Sequence, residues 1–95
     1  MNDQHEGYLD FVALAKKYSN QPWIQPLVDY AINEWTKRGI RNDRMVHFEL
    51  NQNTEGYEDL VYMSNQPGWN QSKYQSCANE WGIRFGMIVF CIKNL

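Results

Sequence analysis

Glu6-Gly7-Tyr8-Leu9-Asp10-Phe11-Val12 is echoed further along the chain by Glu55-Gly56-Tyr57-Glu58-Asp59-Leu60-Val61. Four more blocks recur in the same order. Ser19-Asn20-Gln21-Pro22-Trp23 returns as Ser64-Asn65-Gln66-Pro67-Gly68-Trp69, and Asn33-Glu34-Trp35 as Asn79-Glu80-Trp81. Gly39-Ile40-Arg41 returns as Gly82-Ile83-Arg84, and Met45-Val46-His47-Phe48 as Met87-Ile88-Val89-Phe90. Such an ordered set is hard to produce by chance. It predicts an internal duplication, with copies at 6–51 and 55–95 inside one domain, 1–95. A repeated unit of this size is a supersecondary element that cannot bury its apolar face alone.

The gaps between blocks carry structural information. From Val12 to Ser19 the first copy has four more residues than the second has from Val61 to Ser64. From Trp35 to Gly39 it has three more than from Trp81 to Gly82. Three or four residues make about one helical turn, so such deletions shorten a helix without rotating its apolar face.

Each copy then reads helix, turn, helix, strand. Tyr8, Phe11, Val12, Ala15 and Tyr18 recur at helical spacing, with Asp3 and Glu6 placed for a capping box. Trp23, Ile24, Leu27, Val28, Ala31, Ile32 and Trp35 form the cleanest amphipathic stripe. Pro26 puts the start of its regular helix at about that residue. Gly39 and Gly82 suit the left-handed position after a helix, with Ile40 folding back on Trp35. Tyr57 to Ser64 is ambiguous by itself, and the duplication favours a helix. Tyr74, Cys77, Ala78 and Trp81 mark the second helix of the second copy. Met45 to Leu50 alternates, with Val46, Phe48 and Leu50 on one face, and reads as a strand. Phe85 to Ile92 reads as its counterpart. The expected fold class is therefore α+β: an internally duplicated ααβ-ααβ unit, its halves related by a pseudo-twofold axis, with helices packed on a small antiparallel sheet.

Composition bounds the function. Apolar residues make 43% of the chain and aromatic ones 15%, which argues for a packed core. The net charge of −2 argues against an electrostatic nucleic-acid binder. The longest apolar run, Gly86 to Ile92, is too short to span a bilayer, and the polar first residues do not read as a signal peptide. Two cysteines give no disulfide framework, which points to a reducing, cytoplasmic setting.

Catalytic and metal signals are weak. A nucleophilic site needs a nucleophile, a base and an orienting group. Cys77 and Cys91 lie on apolar stretches and read as buried, inert thiols. His5 falls in a fraying N-terminal stretch, and His47 aligns with Val89, so the second copy lacks it. There is no Cys-x-x-Cys and no histidine pair at helical spacing, so no metal or other cofactor is expected. Glu6, Asp10, Glu55 and Asp59 read as first-turn acids complementing helix dipoles. Glu34 with Arg41, and Glu80 with Arg84, read as one ion pair per copy.

The positive features belong to the surface. Asn and Gln total 17 and Tyr and Trp total ten, side chains that offer contact area and adaptable hydrogen bonds. Trp69, set apart from Trp23 by the inserted Gly68, is the candidate anchor of a partner-binding patch with Asn70, Gln71 and Lys73. Met87, Val89 and Cys91 would form the bare outer face of the second strand, which points to self-association as a homodimer. The expected function is binding of another protein, as a small non-enzymatic inhibitor or adaptor. In size and style the chain is similar to phage-encoded inhibitors of host defence, such as anti-CRISPR proteins, and to immunity proteins. A polar small-molecule or enzymatic site at the pseudo-twofold interface is the alternative, and nucleic-acid binding comes third.

Overall fold

The computed structural model describes residues 3–95, with side chains from Gln4 onward. The expected cap from Asp3 lies outside the described side chains. Five helices and one small antiparallel sheet follow in the order α1 (Asp3–Lys17), α2 (Ile24–Glu34), β1 (Thr36–Lys37), β2 (Ile40–Arg41), α3 (Asp43–Ser64), α4 (Gln71–Trp81) and α5 (Phe85–Lys93). The protein is mostly helical, and α+β only in a loose sense. It divides into two compact units, the first ending at Asn51 and the second spanning Gln52–Leu95. The long helix α3 supplies its first half to unit one and its second half to unit two.

Both expected central strands are helical, which corrects the sequence reading. Met45 to Leu50 alternates in composition, but Phe48, assigned to the inner face, is 53% exposed. The buried positions of α3 are Asp43, Val46, Glu49, Leu50, Asn53, Thr54, Gly56 and Leu60, a helical spacing. Several of these are polar, so the apolar pattern hid the stripe. Phe85 to Ile92 is apolar throughout, and such a run does not distinguish a strand from a buried helix. Tyr57 to Ser64 is helical, within α3.

The only sheet among the described residues lies elsewhere. Thr36 pairs with Arg41 and Lys37 with Ile40 in a two-residue hairpin. Arg38 (φ 55°) and Gly39 (φ 78°) form its turn. Two successive positive φ values match the twist of a tight hairpin. Gly39 thus turns a hairpin rather than ending a helix, and Ile40 is 74% exposed instead of folding back on Trp35. Helix α2 ends earlier, where the Trp35 N–H donates to the Ala31 carbonyl. Gly82 does close α4, with φ 59° and its N–H donating to the Ala78 carbonyl. Pro26 sits inside the first turn of α2, where its missing N–H costs nothing.

Each unit is organised by a glycine crossing. In unit one, a Cβ added at Gly7 of α1 would stand 2.5 Å from the Arg44 nitrogen at the start of α3. In unit two, a Cβ at Gly56 of α3 would stand 2.7 Å from the Phe85 carbonyl oxygen and closer still to the Gly86 nitrogen. Only glycine permits backbones to meet this closely. One turn before each glycine, an amide side chain meets the arriving helix. The Asp43 N–H donates to Gln4 Oε1 at 2.9 Å, and the Gly86 N–H donates to Asn53 Oδ1 at 3.4 Å. Both bonds satisfy main-chain donors that a helix start leaves open.

Unit one buries Phe11, Ile24, Leu27, Ala31, Val46 and Leu50. Unit two buries Leu60, Cys77, Ile88 and Val89, with Met63, Trp69, Tyr74, Trp81, Phe85 and Ile92 packed against them. Cys77 and Cys91 are joined by a disulfide between α4 and α5. They are not the free thiols read from the sequence, and the ground for a reducing compartment falls with them, since disulfides persist in oxidising ones. No helix among the described residues is long and apolar enough to cross a membrane.

Two measurements test this packing. Alanine in place of a helical glycine ordinarily stabilises by about 1 kcal/mol. Gly7→Ala and Gly56→Ala instead lower the urea midpoint, by the equivalent of about 1–3 kcal/mol of overpacking; an unchanged or raised midpoint would refute the close approach. Reducing Cys77–Cys91, which closes a loop with a sequence separation of 14, removes about 3 kcal/mol of stability. Identical urea curves for oxidised and reduced protein would contradict this.

Candidate functional site

An open cleft lies beside each glycine crossing. The cleft of unit one, about 600 Å³, lies between α1 and the first half of α3. Glu6, Gly7 and Asp10 line it from α1, and Arg44, Met45, His47 and Phe48 from α3. The cleft of unit two, about 360 Å³, lies between the second half of α3 and α5. Glu55, Gly56 and Asp59 line it from α3, and Gly86, Met87, Val89 and Phe90 from α5. In the register of the repeated blocks these are the same positions. Glu, Gly and Asp stand on one wall of both clefts, and Met and Phe on the other.

The chemistry differs where the blocks differ. Arg44 and His47 of unit one are replaced by Gly86 and Val89 in unit two. The first cleft therefore carries two carboxylates against a guanidinium and an imidazole. The second carries two carboxylates, and its lining includes no basic side chain. Glu55 and Asp59 lie in the middle of α3, away from any helix start, so the dipole reading of these acids does not hold.

Phe48 and Phe90 are the residues that the sequence reading left out. They are 53% and 61% exposed, each on the rim of its cleft. A signal for them was present: Met and Phe recur at i and i+3 in both copies, a helical spacing that was read as strand.

The patch assigned to Trp69, Asn70, Gln71 and Lys73 lies at the start of α4. Trp69 is half-buried against the core of unit two, 5.6 Å from the Tyr74 ring. Its Nε1–H donates to Gln71 Oε1 at 2.9 Å. Asn70 caps α4, accepting from the Lys73 N–H at 3.1 Å. Lys73 Nζ donates to the Leu95 carbonyl at 3.3 Å. These side chains brace one another, and shallow grooves flank Trp69 on two sides.

Met87, Val89 and Cys91 do not form a strand face. On α5 they sit at helical positions: Val89 is buried, Cys91 is held in the disulfide, and Met87 lines the cleft. Arg41 pairs through Nε with Asp43 and stacks over the Phe11 and Tyr8 rings at 5.3 and 5.6 Å, so its charge is directed to Asp43 and not to Glu34. Trp35 donates from Nε1 to Glu49 Oε1 at 3.3 Å, tying the end of α2 to α3.

Among the described residues no group of three or more His, Cys, Asp or Glu side chains is arranged to hold a metal ion. The two clefts are thus the places where aromatic, acidic and main-chain groups converge on open surface. No family model, no curated protein and no solved structure matches the chain.

Proposed function

We propose that the protein acts by binding another protein, as a small inhibitor or adaptor, and that the rims of the two clefts are its contact surface. The observation that carries this reading is the exposure of Phe48 and Phe90 at matched positions beside open clefts. Each ring keeps more than half of its surface in water, and covering such a ring against a partner is favourable. Aromatic anchors surrounded by polar groups are the usual energetic centre of a protein interface. The phage-encoded anti-defence and immunity proteins of similar size are the functional style this reading favours.

We further infer that the two units are copies of one three-helix ancestor. The Gly7 and Gly56 crossings, the Gln4 and Asn53 caps and the shared cleft positions support that inference. Two similar rims on one chain would let a single partner be held at two points, or two partner segments be held at once.

Affinity capture from native host extract tests the reading. Phe48→Ser and Phe90→Ser leave the urea midpoint within about 0.5 kcal/mol of wild type, as exposed substitutions do. Together they weaken capture of the specific partner by at least about tenfold. Undiminished capture by the double variant would overturn the proposal.

A further inference from the structure

The tyrosine of the repeated Glu-Gly-Tyr block has a different neighbour in each unit. In unit one the Arg41 guanidinium lies 5.6 Å from the Tyr8 ring centre and 5.3 Å from that of Phe11, and it pairs with Asp43. The repeated blocks align Tyr8 with Tyr57, Phe11 with Leu60 and Arg41 with Arg84. The glycine crossings align Asp43 with Phe85. In unit two the corresponding cation turns elsewhere, with the Arg84 guanidinium 5.8 Å from the Trp81 ring. The corresponding acid is replaced by a phenyl ring.

Tyr57 and Leu60, the counterparts of the two rings beside Arg41, line an open groove of about 220 Å³. Trp69, Tyr74 and Phe85 line it too, so four half-buried aromatic side chains converge there. Tyr57 meets Phe85 at 5.5 Å and 69°, and Trp69 meets Tyr74 at 5.6 Å and 41°, so the rings make angled walls rather than one flat stack. Among the described residues, no cation of the chain lies over Trp69, Tyr74 or Phe85. The groove has no charged side chain in its lining and shares no lining residue with the two clefts.

That lining selects among cations. Ammonium and guanidinium groups carry N–H donors that need acceptors once water is removed. The groove offers no carboxylate, and its Ser64 and Gln71 side chains already bond to the Val61 carbonyl and the Trp69 indole. A quaternary ammonium group has no N–H to satisfy and is attracted to aromatic faces. Pockets for drug-sized ligands run from roughly 300 to 1,000 Å³, so a groove below that range suits a compact head group.

We infer that the groove among the second half of α3, the start of α4 and the start of α5 binds a trimethylammonium group carried by a choline-like molecule. This goes beyond the protein-binding reading and does not depend on it.

Titration of the isotope-labelled full chain with choline tests it. Choline shifts the Trp69 indole N–H and the Tyr57 and Tyr74 amides. Its uncharged isostere 3,3-dimethylbutan-1-ol and its unmethylated analogue ethanolamine each bind at least about tenfold more weakly, the first for lack of charge and the second for its N–H donors. Tyr74→Leu lowers choline affinity about tenfold, whereas Tyr74→Phe retains it. Val61 lines the groove and is 47% exposed, so a charge there leaves the fold intact. Val61→Glu tightens choline binding about threefold, and Val61→Lys weakens it by a similar factor. Phosphatidylcholine vesicles distinguish the source of the group. Cosedimentation competed by choline assigns a lipid head group, choline binding without cosedimentation assigns a free molecule, and both support the inference. Equal binding of the uncharged isostere would make this an ordinary apolar groove and overturn the inference. So would equal binding of ethanolamine, equal affinities of the two Val61 variants, or no shift with choline.

Discussion

The contact on which the rest depends is main chain against main chain, at Gly7 on the start of α3 and at Gly56 on the start of α5. A side chain at either glycine would push the helices apart. With the helices held close, the amides of Gln4 and Asn53 reach the open N–H groups of the arriving helix. An open cleft lies at each crossing, lined by Gly7 in unit one and by Gly56 and Gly86 in unit two. Packing and capping thus share one cause, and its sequence signature is a single residue type per unit.

The two units join their later helices by different chemistry. In the register of the repeated blocks, Cys77 stands where unit one has Ala31, and Cys91 where it has Glu49. Unit two closes that joint covalently. Unit one closes it with small Ala31 at the buried position and with the Trp35 indole donating to the Glu49 carboxylate. A buried carboxylate is stabilising only while its donors remain, whereas a disulfide acts mainly by restricting the unfolded chain. The units therefore respond to different stresses: unit one to loss of a hydrogen-bond donor, unit two to reductant.

Much of the helical framework was legible in the sequence. The gaps of about one turn, the Trp23-to-Trp35 stripe and the Tyr74-to-Trp81 spacing all mark helices that exist. The last element of each repeat was not legible. In α3 the buried stripe runs through Asp43, Glu49, Asn53 and Thr54, so polarity masked its period. In α5 uniform apolarity left no period to read. Pairing of Cys77 with Cys91 was invisible because it required both lie on neighbouring helices rather than on a helix and a strand. Reading Met45–Leu50 and Phe85–Ile92 as strands puts Phe48 and Phe90 on an inner face, which hides the clefts that they line. Glu55 and Asp59 suit a first helical turn in the repeat pattern, yet they stand in mid-helix because α3 runs from Asp43 to Ser64.

The main-chain crossings beside the clefts have an evolutionary consequence. In most binding sites the residues that shape the cavity also hold the fold, so a change of specificity risks a loss of stability. Here the helices meet through glycine and backbone, while the Phe48 and Phe90 rings beside the clefts are more than half exposed. Exposed rim positions can mutate at little cost to folding. A scaffold of this kind can vary its exposed surface while its architecture stays still.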